Sequence, residues 1–299
     1  MRWLTRLLWA IVAWRFLGPV LVPRFPAPQE HPWRIPGRTI FVGDREFLVR
    51  EMGDSGSPVV LIHGLGGSSL AEWYRVAPML AERHRVVMID HRSHGLSAVE
   101  RSRYEVEEAA DELAAVLDLL GIREAGVIGY SMGGALALAL AHRRPDLVAK
   151  LGLVATMAAH PDTWRWVRTV GTYLQRGWER LTGLGAAEVR SSYLLKVGAV
   201  EQRHSRWLWD ESHRRDPDAY AEAALALFRF DARPILDEVL QPSLVVIPTN
   251  DQLVPPPWQY QLASGLKDVM VVEIDGARHE LPWTHAELLA QAVEDLLAS

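Results

Sequence analysis

Short runs of β-branched and aliphatic residues alternate with longer segments of helical periodicity along most of the chain. This alternation constrains the fold more than any other feature of the sequence. The runs "VVLIHG" (59–64), "RVVMID" (85–90), "AGVIGY" (125–130), "LVAKLGLVAT" (147–156), "SLVVIPT" (243–249) and "VMVVEID" (269–275) are separated by stretches such as "AEWYRVAPMLAERH" (71–84), "YEVEEAADELAAVLDLLG" (104–121) and "MGGALALALAHRR" (132–144). The runs are continuously apolar, as strands buried on both faces must be. The expected architecture is an α/β fold: a mostly parallel central sheet with helices on both faces. A two-stranded opening over 39–52, turning at Gly43-Asp44, precedes it.

The alternation lapses between 157 and 236, where several helical patterns follow one another without a clear strand and carry Trp164, Trp166, Trp178, Trp207 and Trp209. A helical cap inserted between two strands of one sheet accounts for this. The expected organisation is an apolar, basic N-terminal segment with a proline-rich linker over 1–37, a core over 38–156 and 237–299, and the cap over 157–236. Two helix starts carry a capping-box pattern, Ser102 with Glu105 and Thr284 with Glu287. The tryptophans of the insertion read as mostly core, with a few lining an apolar pocket.

Charge is distributed unevenly. Residues 1–34 hold five arginines (Arg2, Arg6, Arg15, Arg24, Arg34) against Glu30, a net +4 that leaves −9 on the rest of a chain of net charge −5. The overall balance argues against a general nucleic-acid binder. The N-terminal stretch "WLTRLLWAIVAWRFLGPVLVPRF" mixes tryptophan, leucine and arginine as interfacial segments do, although Arg6 and Arg15 fall on opposite helical faces. Arg6, Arg15 and Gly18-Pro19 interrupt it as a membrane span, and no small-x-small cleavage site follows its apolar run closely, so secretion is the less favoured reading. The two readings are a membrane-surface contact through residues 1–34 and an arm packed on protein. The corresponding locations are cytoplasmic or membrane-associated. Cysteine is absent, which excludes disulfides, thiolate metal sites and a cysteine nucleophile.

Ligands of open α/β sheets bind beyond the carboxyl ends of the strands. Four segments emerge there: "HGLGGSS" after 59–62, Ser131 after 125–130, "TNDQLVPP" after 243–249 and "GARHELPW" after 269–275. A serine in a tight strand-to-helix turn adopts a strained backbone, and side chains at 129 or 133 would collide with neighbouring elements; Gly129 and Gly133 remove the collision. The Met132 N–H, first in the following helix, has no partner within it and lies at the positive end of the helix dipole. It is one candidate oxyanion donor and the Leu65 N–H is the other. His279 is the candidate base and Asp251 the acid that orients it, with Asp162 and Asp231 as distant rivals of Asp251 and His285 as the rival of His279.

The motif Gly129-x-Ser131-x-Gly133, its strand-turn-helix context and the chain order Ser131, Asp251, His279 resemble the α/β-hydrolase superfamily. The resemblance covers roughly 38–299 and includes His63-Gly64 and "DHRSHG" at 90–95, where Ser93 stands in place of the family's usual glycine. It implies the α/β-hydrolase fold and a serine hydrolase with catalytic residues Ser131, Asp251 and His279 and an oxyanion hole of the Leu65 and Met132 N–H groups. It implies no cofactor and no metal. His63, His91 and His94 read as loop-packing residues, since no two have metal-site spacing in a helical context.

The apolar insertion favours an uncharged ester with an apolar acyl group, as cleaved by esterases and lipases. Arginines in the insertion (Arg165, Arg168, Arg176, Arg190, Arg203, Arg206) offer the alternative of a bound carboxylate. Relatives sharing such a triad include thioesterases, cofactor-free haloperoxidases, C–C bond hydrolases and a menaquinone-pathway lyase. A non-catalytic small-molecule receptor is the reading from another class.

Overall fold

The computed structural model describes residues 35–182, 192–204, 207–208, 210–211 and 216–299, together with Trp3, Arg6, Trp9, Ala10, Val12 and Ala13 of the N-terminal segment. Eight strands form one sheet: β1 (Gly37–Val42), β2 (Arg45–Met52), β3 (Pro58–Ile62), β4 (Arg85–Ile89), β5 (Ala125–Tyr130), β6 (Val148–Val154), β7 (Ser243–Pro248) and β8 (Val269–Ile274). Their order is β1-β2-β4-β3-β5-β6-β7-β8. β1 and β2 are antiparallel and turn at Gly43, whose φ is +62°; β2 also meets β4 antiparallel, and every pair from β4 through β8 is parallel.

The continuous apolar runs have a direct structural cause. Successive residues of the inner strands enter two separate cores, whereas β8, at the sheet edge, leaves Met270 and Val271 exposed and so is not buried on both faces as its apolar run predicts. Val60, Ile62, Val87, Ile89, Val245 and Ile247 join the core built with α3 (Val106–Leu119) and α4 (Met132–Arg143). Val59, Leu61, Val86, Met88, Leu244 and Val246 face the opposite core, which includes α1 (Ser69–Trp73), α2 (Ala77–Leu80), α8 (Leu281–Thr284) and α9 (Ala286–Ala298). α7 (Pro256–Gly265) connects β7 to β8.

Three local expectations are corrected. The segment 71–84 forms two short helices, α1 and α2, instead of one; Ser68 caps the first by accepting from the Ala71 N–H at 3.1 Å. The N-cap of α3 is Glu105, with no side-chain cap, so Ser102 plays no capping role. The N-cap of α9 is His285, because Thr284 already ends α8, where its hydroxyl donates to the Glu280 carbonyl at 3.1 Å.

Between β6 and β7 the chain forms α5 (Asp162–Thr182) and α6 (Pro217–Arg229), which pack on each other. Pro217 opens α6 behind an Asp216 side chain that accepts from the N–H groups of Asp218 and Ala219. α5 is turned opposite to a core helix: Arg168, Thr172 and Gln175 face inward, whereas Trp166, Val170, Leu174, Trp178 and Leu181 are exposed. The tryptophans of this segment are therefore not uniformly core. Trp166 is 69% exposed and Trp178 49%, while Trp207 is buried. The side chains of Trp164 and Trp209 lie outside the described residues, as does most of the N-terminal segment, although Trp3 and Trp9 are exposed. Among the described residues no helix is long and apolar enough to cross a membrane.

Candidate active site

Ser131 occupies the junction of β5 and α4 with φ 52° and ψ −118°, a conformation that costs a non-glycine residue on the order of 1–3 kcal/mol. Neighbouring hydrogen bonds hold it there. Its N–H donates to the Val154 carbonyl at 2.9 Å, and its carbonyl accepts from the Thr156 hydroxyl at 2.8 Å and the Gly134 N–H at 2.9 Å. A Cβ on Gly129 would overlap the Gly133 carbonyl, and one on Gly133 would overlap the Ile62 carbonyl. The glycines on both sides of Ser131 thus answer to close backbone approach at the turn.

The register of β5, β7 and β8 carries three distant residues to one edge. His279 Nε2 lies 3.0 Å from Ser131 Oγ, and His279 Nδ1 lies 2.8 Å from Asp251 Oδ2. The Asp251 side chain is fully buried, and its Oδ1 accepts from the N–H groups of Leu253 (2.8 Å) and Val254 (2.9 Å). With these donors the carboxylate is fixed as an acceptor toward the imidazole. The rivals stand elsewhere: Asp231 binds Arg233, Asp162 begins α5, and His285 Nδ1 lies 2.8 Å from the Thr284 hydroxyl.

Two main-chain donors flank the serine. Neither the Leu65 nor the Met132 N–H has an acceptor among the described residues, and both residues line the same cavity as Ser131. The N–H of Gly64, by contrast, is engaged by Glu72 Oε2 at 2.6 Å. The cavity is about 620 Å³, ordinary for a small-molecule site, and mostly apolar. Met157, Leu227, Phe228 and Val254 form much of its wall.

The loop histidines pack together. His63 and His91 stack with ring centroids 4.0 Å apart, and His94 lies 4.1 Å from His91. Burial first, then the neighbouring His63 and His94, push His91 well below the usual histidine range. Among the described residues no group of His, Asp and Glu has a metal-binding arrangement. Beneath this cluster the fully buried Asp90 accepts from the Ser69 N–H and hydroxyl and the Leu96 N–H, with Arg50 at 3.4 Å. Burial raises the Asp90 carboxyl, but Arg50, His63, Ser69 and Leu96 outweigh it and hold the group below its usual range. Ser93 has φ +63°, the left-handed conformation that a glycine would adopt without strain. Its hydroxyl accepts from the Glu100 N–H at 2.9 Å and donates to the Glu100 carbonyl at 3.2 Å, which anchors the substituted turn.

Several residues of the site carry no signal in the sequence. The Tyr130 hydroxyl donates to the His279 carbonyl at 2.9 Å, and its ring lies beside the imidazole. Gln259, fully buried on α7, donates to the Val254 carbonyl at 2.7 Å and faces Asp251 at 3.4 Å. Glu72 ties α1 to the glycine-rich loop. Their partners lie on other elements, so no local pattern reveals them; only the adjacency of Tyr130 to Ser131 offered a hint.

The profile of a family described as "alpha/beta hydrolase fold" matches residues 57–286. A protein named "Putative carbamate hydrolase RutD" from Caulobacter segnis is 30% identical over 242 residues, covering 77% of this chain and 86% of its own. A pimeloyl-[acyl-carrier protein] methyl ester esterase from Neisseria meningitidis is 30% identical over 259 residues, covering 83% and 96%. Among solved structures, the enol-lactonase from Burkholderia xenovorans LB400 superposes with a TM-score of 0.75 at 24% identity, over 88% of this chain and all of that one. The fold, the family match and these relatives agree: the chain belongs to the alpha/beta hydrolase fold family.

Proposed function

We propose that the protein is a serine hydrolase that cleaves carboxylic esters with apolar acyl groups through an acyl-enzyme on Ser131. The observation that carries this reading is the continuous hydrogen-bonded line from Ser131 Oγ through His279 to Asp251, at 3.0 and 2.8 Å, opening into an apolar cavity. His279 Nε2 takes the Ser131 proton as Oγ attacks the ester carbonyl, and Asp251 stabilises the imidazolium. The N–H groups of Leu65 and Met132 receive the developing oxyanion. Collapse breaks the acyl–oxygen bond, and the alcohol leaves with the proton from His279. Water, deprotonated by His279, then attacks the acyl-enzyme, releasing the acid and restoring Ser131. The relatives named for ester and carbamate hydrolysis fit the same attack at a carbonyl carbon.

The test is hydrolysis of p-nitrophenyl esters across acyl lengths by the full chain and Ser131→Ala, with fluorophosphonate labelling of both. Activity with an optimum chain length and labelling, both lost in the variant, are expected. Absence of labelling in folded protein overturns the reading.

We further propose that the segment 157–236 caps the site and that the outward face of α5, with residues 1–34, meets a lipid surface. Trp166, Leu174 and Trp178 on α5, and Trp3 and Trp9 of the +4 N-terminal segment, are large exposed apolar groups suited to an anionic bilayer interface. Flotation with phosphatidylcholine vesicles containing phosphatidylglycerol is expected for the full chain and reduced by Leu174→Ser and by deletion of 1–34. Equal flotation of all forms, or sedimentation showing that α5 is covered by a second copy, overturns it.

A further inference from the structure

The inner face of α5 places a cation in the cavity. Arg168 lines the cavity with Ser131 and His279. Its guanidinium lies 5.8 Å from the Phe228 ring centroid and 5.6 Å from that of Trp258, and its NH1 donates to His160 Nδ1 at 2.7 Å. Among the described residues it has no ion-pair partner. Glu72 and Glu280, the carboxylates that also line the cavity, are not paired with it. The other arginines of the segment are accounted for differently. Arg176 and Arg180 share Asp218, Arg203 binds Glu201, Arg165 is exposed outside the cavity lining, and Arg190 and Arg206 lie outside the described residues.

Two further donors line the same cavity. Because His160 Nδ1 accepts from Arg168, its proton sits on Nε2, and that atom is buried with no acceptor among the described residues. Gln175 Nε2, one helical turn beyond Thr172 and two beyond Arg168 on the same face, is likewise buried with no acceptor among the described residues. Burial pulls the Arg168 guanidinium below its ordinary range, yet it stays charged at neutral pH. A partly buried cation and orphaned donors are each costly alone, and one anionic group relieves them together.

We infer that the cavity contains a carboxylate-binding subsite formed by Arg168, with His160 and Gln175 as neighbouring donors, and that the preferred substrate is an ester whose apolar chain ends in a carboxylate. A planar guanidinium matches a carboxylate in two parallel hydrogen bonds, which selects a carboxylate over a neutral end group. Such a substrate is a half-ester of a dicarboxylic acid, and its hydrolysis yields the diacid and an alcohol. The substrate assignment rests on the serine-hydrolase reading above, whereas the subsite itself does not.

Two measurements separate these. Calorimetric binding of free adipate to the wild-type chain, Arg168→Gln and Arg168→Lys reads the subsite without catalysis. At least tenfold weaker binding in Arg168→Gln, partly recovered in Arg168→Lys, is expected. No binding to the wild type, or equal binding to all three, as an acid seated only at the oxyanion donors would give, overturns the subsite. The second is the kcat/KM ratio for the p-nitrophenyl half-ester of adipic acid against p-nitrophenyl hexanoate. That ratio is expected to fall at least tenfold in Arg168→Gln and to remain within twofold in Arg165→Gln, which removes the same charge from an exposed position of the same helix. An unchanged ratio in Arg168→Gln overturns the substrate assignment. Loss of fluorophosphonate labelling at Ser131 fails the hydrolase reading instead, and the adipate result then decides the subsite alone.

Discussion

His279 Nε2 lies 3.0 Å from Ser131 Oγ although the two residues are 148 positions apart, and the contact joins the loop after β8 to the turn after β5. Its reach depends on Asp251 behind the imidazole and on Tyr130, whose hydroxyl holds the His279 carbonyl. Replacing Asp251 with Asn removes the charge that stabilises the imidazolium and frees the ring to adopt the wrong tautomer. The expected loss in kcat for ester hydrolysis is on the order of 10⁴-fold, with KM changed far less. Steady-state kinetics on Asp251→Asn, alongside Ser131→Ala, checks this.

Ser131 holds a backbone conformation that suits glycine better. Ser131→Gly is expected to abolish ester hydrolysis while stabilising the fold by about 1 kcal/mol, because relief of strain outweighs the added chain entropy. Thermal unfolding should show a rise in Tm of about 2–4 °C. A fall in Tm would show that the Ser131 side chain contributes more to stability than its backbone removes.

Glycines near the site separate into two kinds. A Cβ at Gly133 meets the Ile62 and His63 carbonyls, whereas a Cβ at Gly177, exposed on α5, meets nothing. Gly133→Ala should destabilise by about 3 kcal/mol through overpacking. Gly177→Ala should stabilise by up to about 1 kcal/mol through helix propensity. Urea unfolding midpoints of the two variants are expected to move in opposite directions.

Asp90 and Asp111 both face arginines, with consequences of different size. Removing Asp90 as Ala leaves Arg50 buried beside an empty partner position and releases Ser69 and Leu96, at an expected cost of about 3–5 kcal/mol. Asp111 pairs with Arg143 at the surface, so Asp111→Ala should cost no more than about 1 kcal/mol. Denaturant titration of both variants decides the comparison.

His160 couples stability to acidity. Burial first, and the adjacent Arg168 charge second, push its pKa down to about 3. In the unfolded chain the imidazole takes up a proton below about pH 6.5, but in the folded protein it does not until near pH 3. The unfolded state therefore binds more protons across this window, and stability falls as pH falls, by up to about 1.4 kcal/mol per unit from this group. His160→Asn should flatten the loss, with urea midpoints at pH 7, 6 and 5 lying closer together than in the wild type.

The sheet, most of its helices and the positions of Ser131, Asp251 and His279 at strand ends were legible from the sequence, because each depends on local regularity. A strand buried on both faces writes a continuous apolar run, a helix writes a 3.6-residue period, and a turn that brings backbones together requires Gly129 and Gly133. Where the chain interacts with itself only after folding, local pattern was silent or misleading. Ser102 and Thr284 carry capping patterns that the helix starts do not use, since α3 begins behind Glu105 and Thr284 ends α8, and Trp166 and Trp178 read as core although α5 presents its polar side inward. Tyr130, Glu72 and Gln259 gain their roles from partners on other elements. Among six candidate arginines, which were indistinguishable as charges along a helical segment, tertiary structure selected Arg168. Hydrogen bonding to His160, the contact with the Phe228 ring and the lack of a carboxylate partner among the described residues are relations across space, and a linear sequence does not record them.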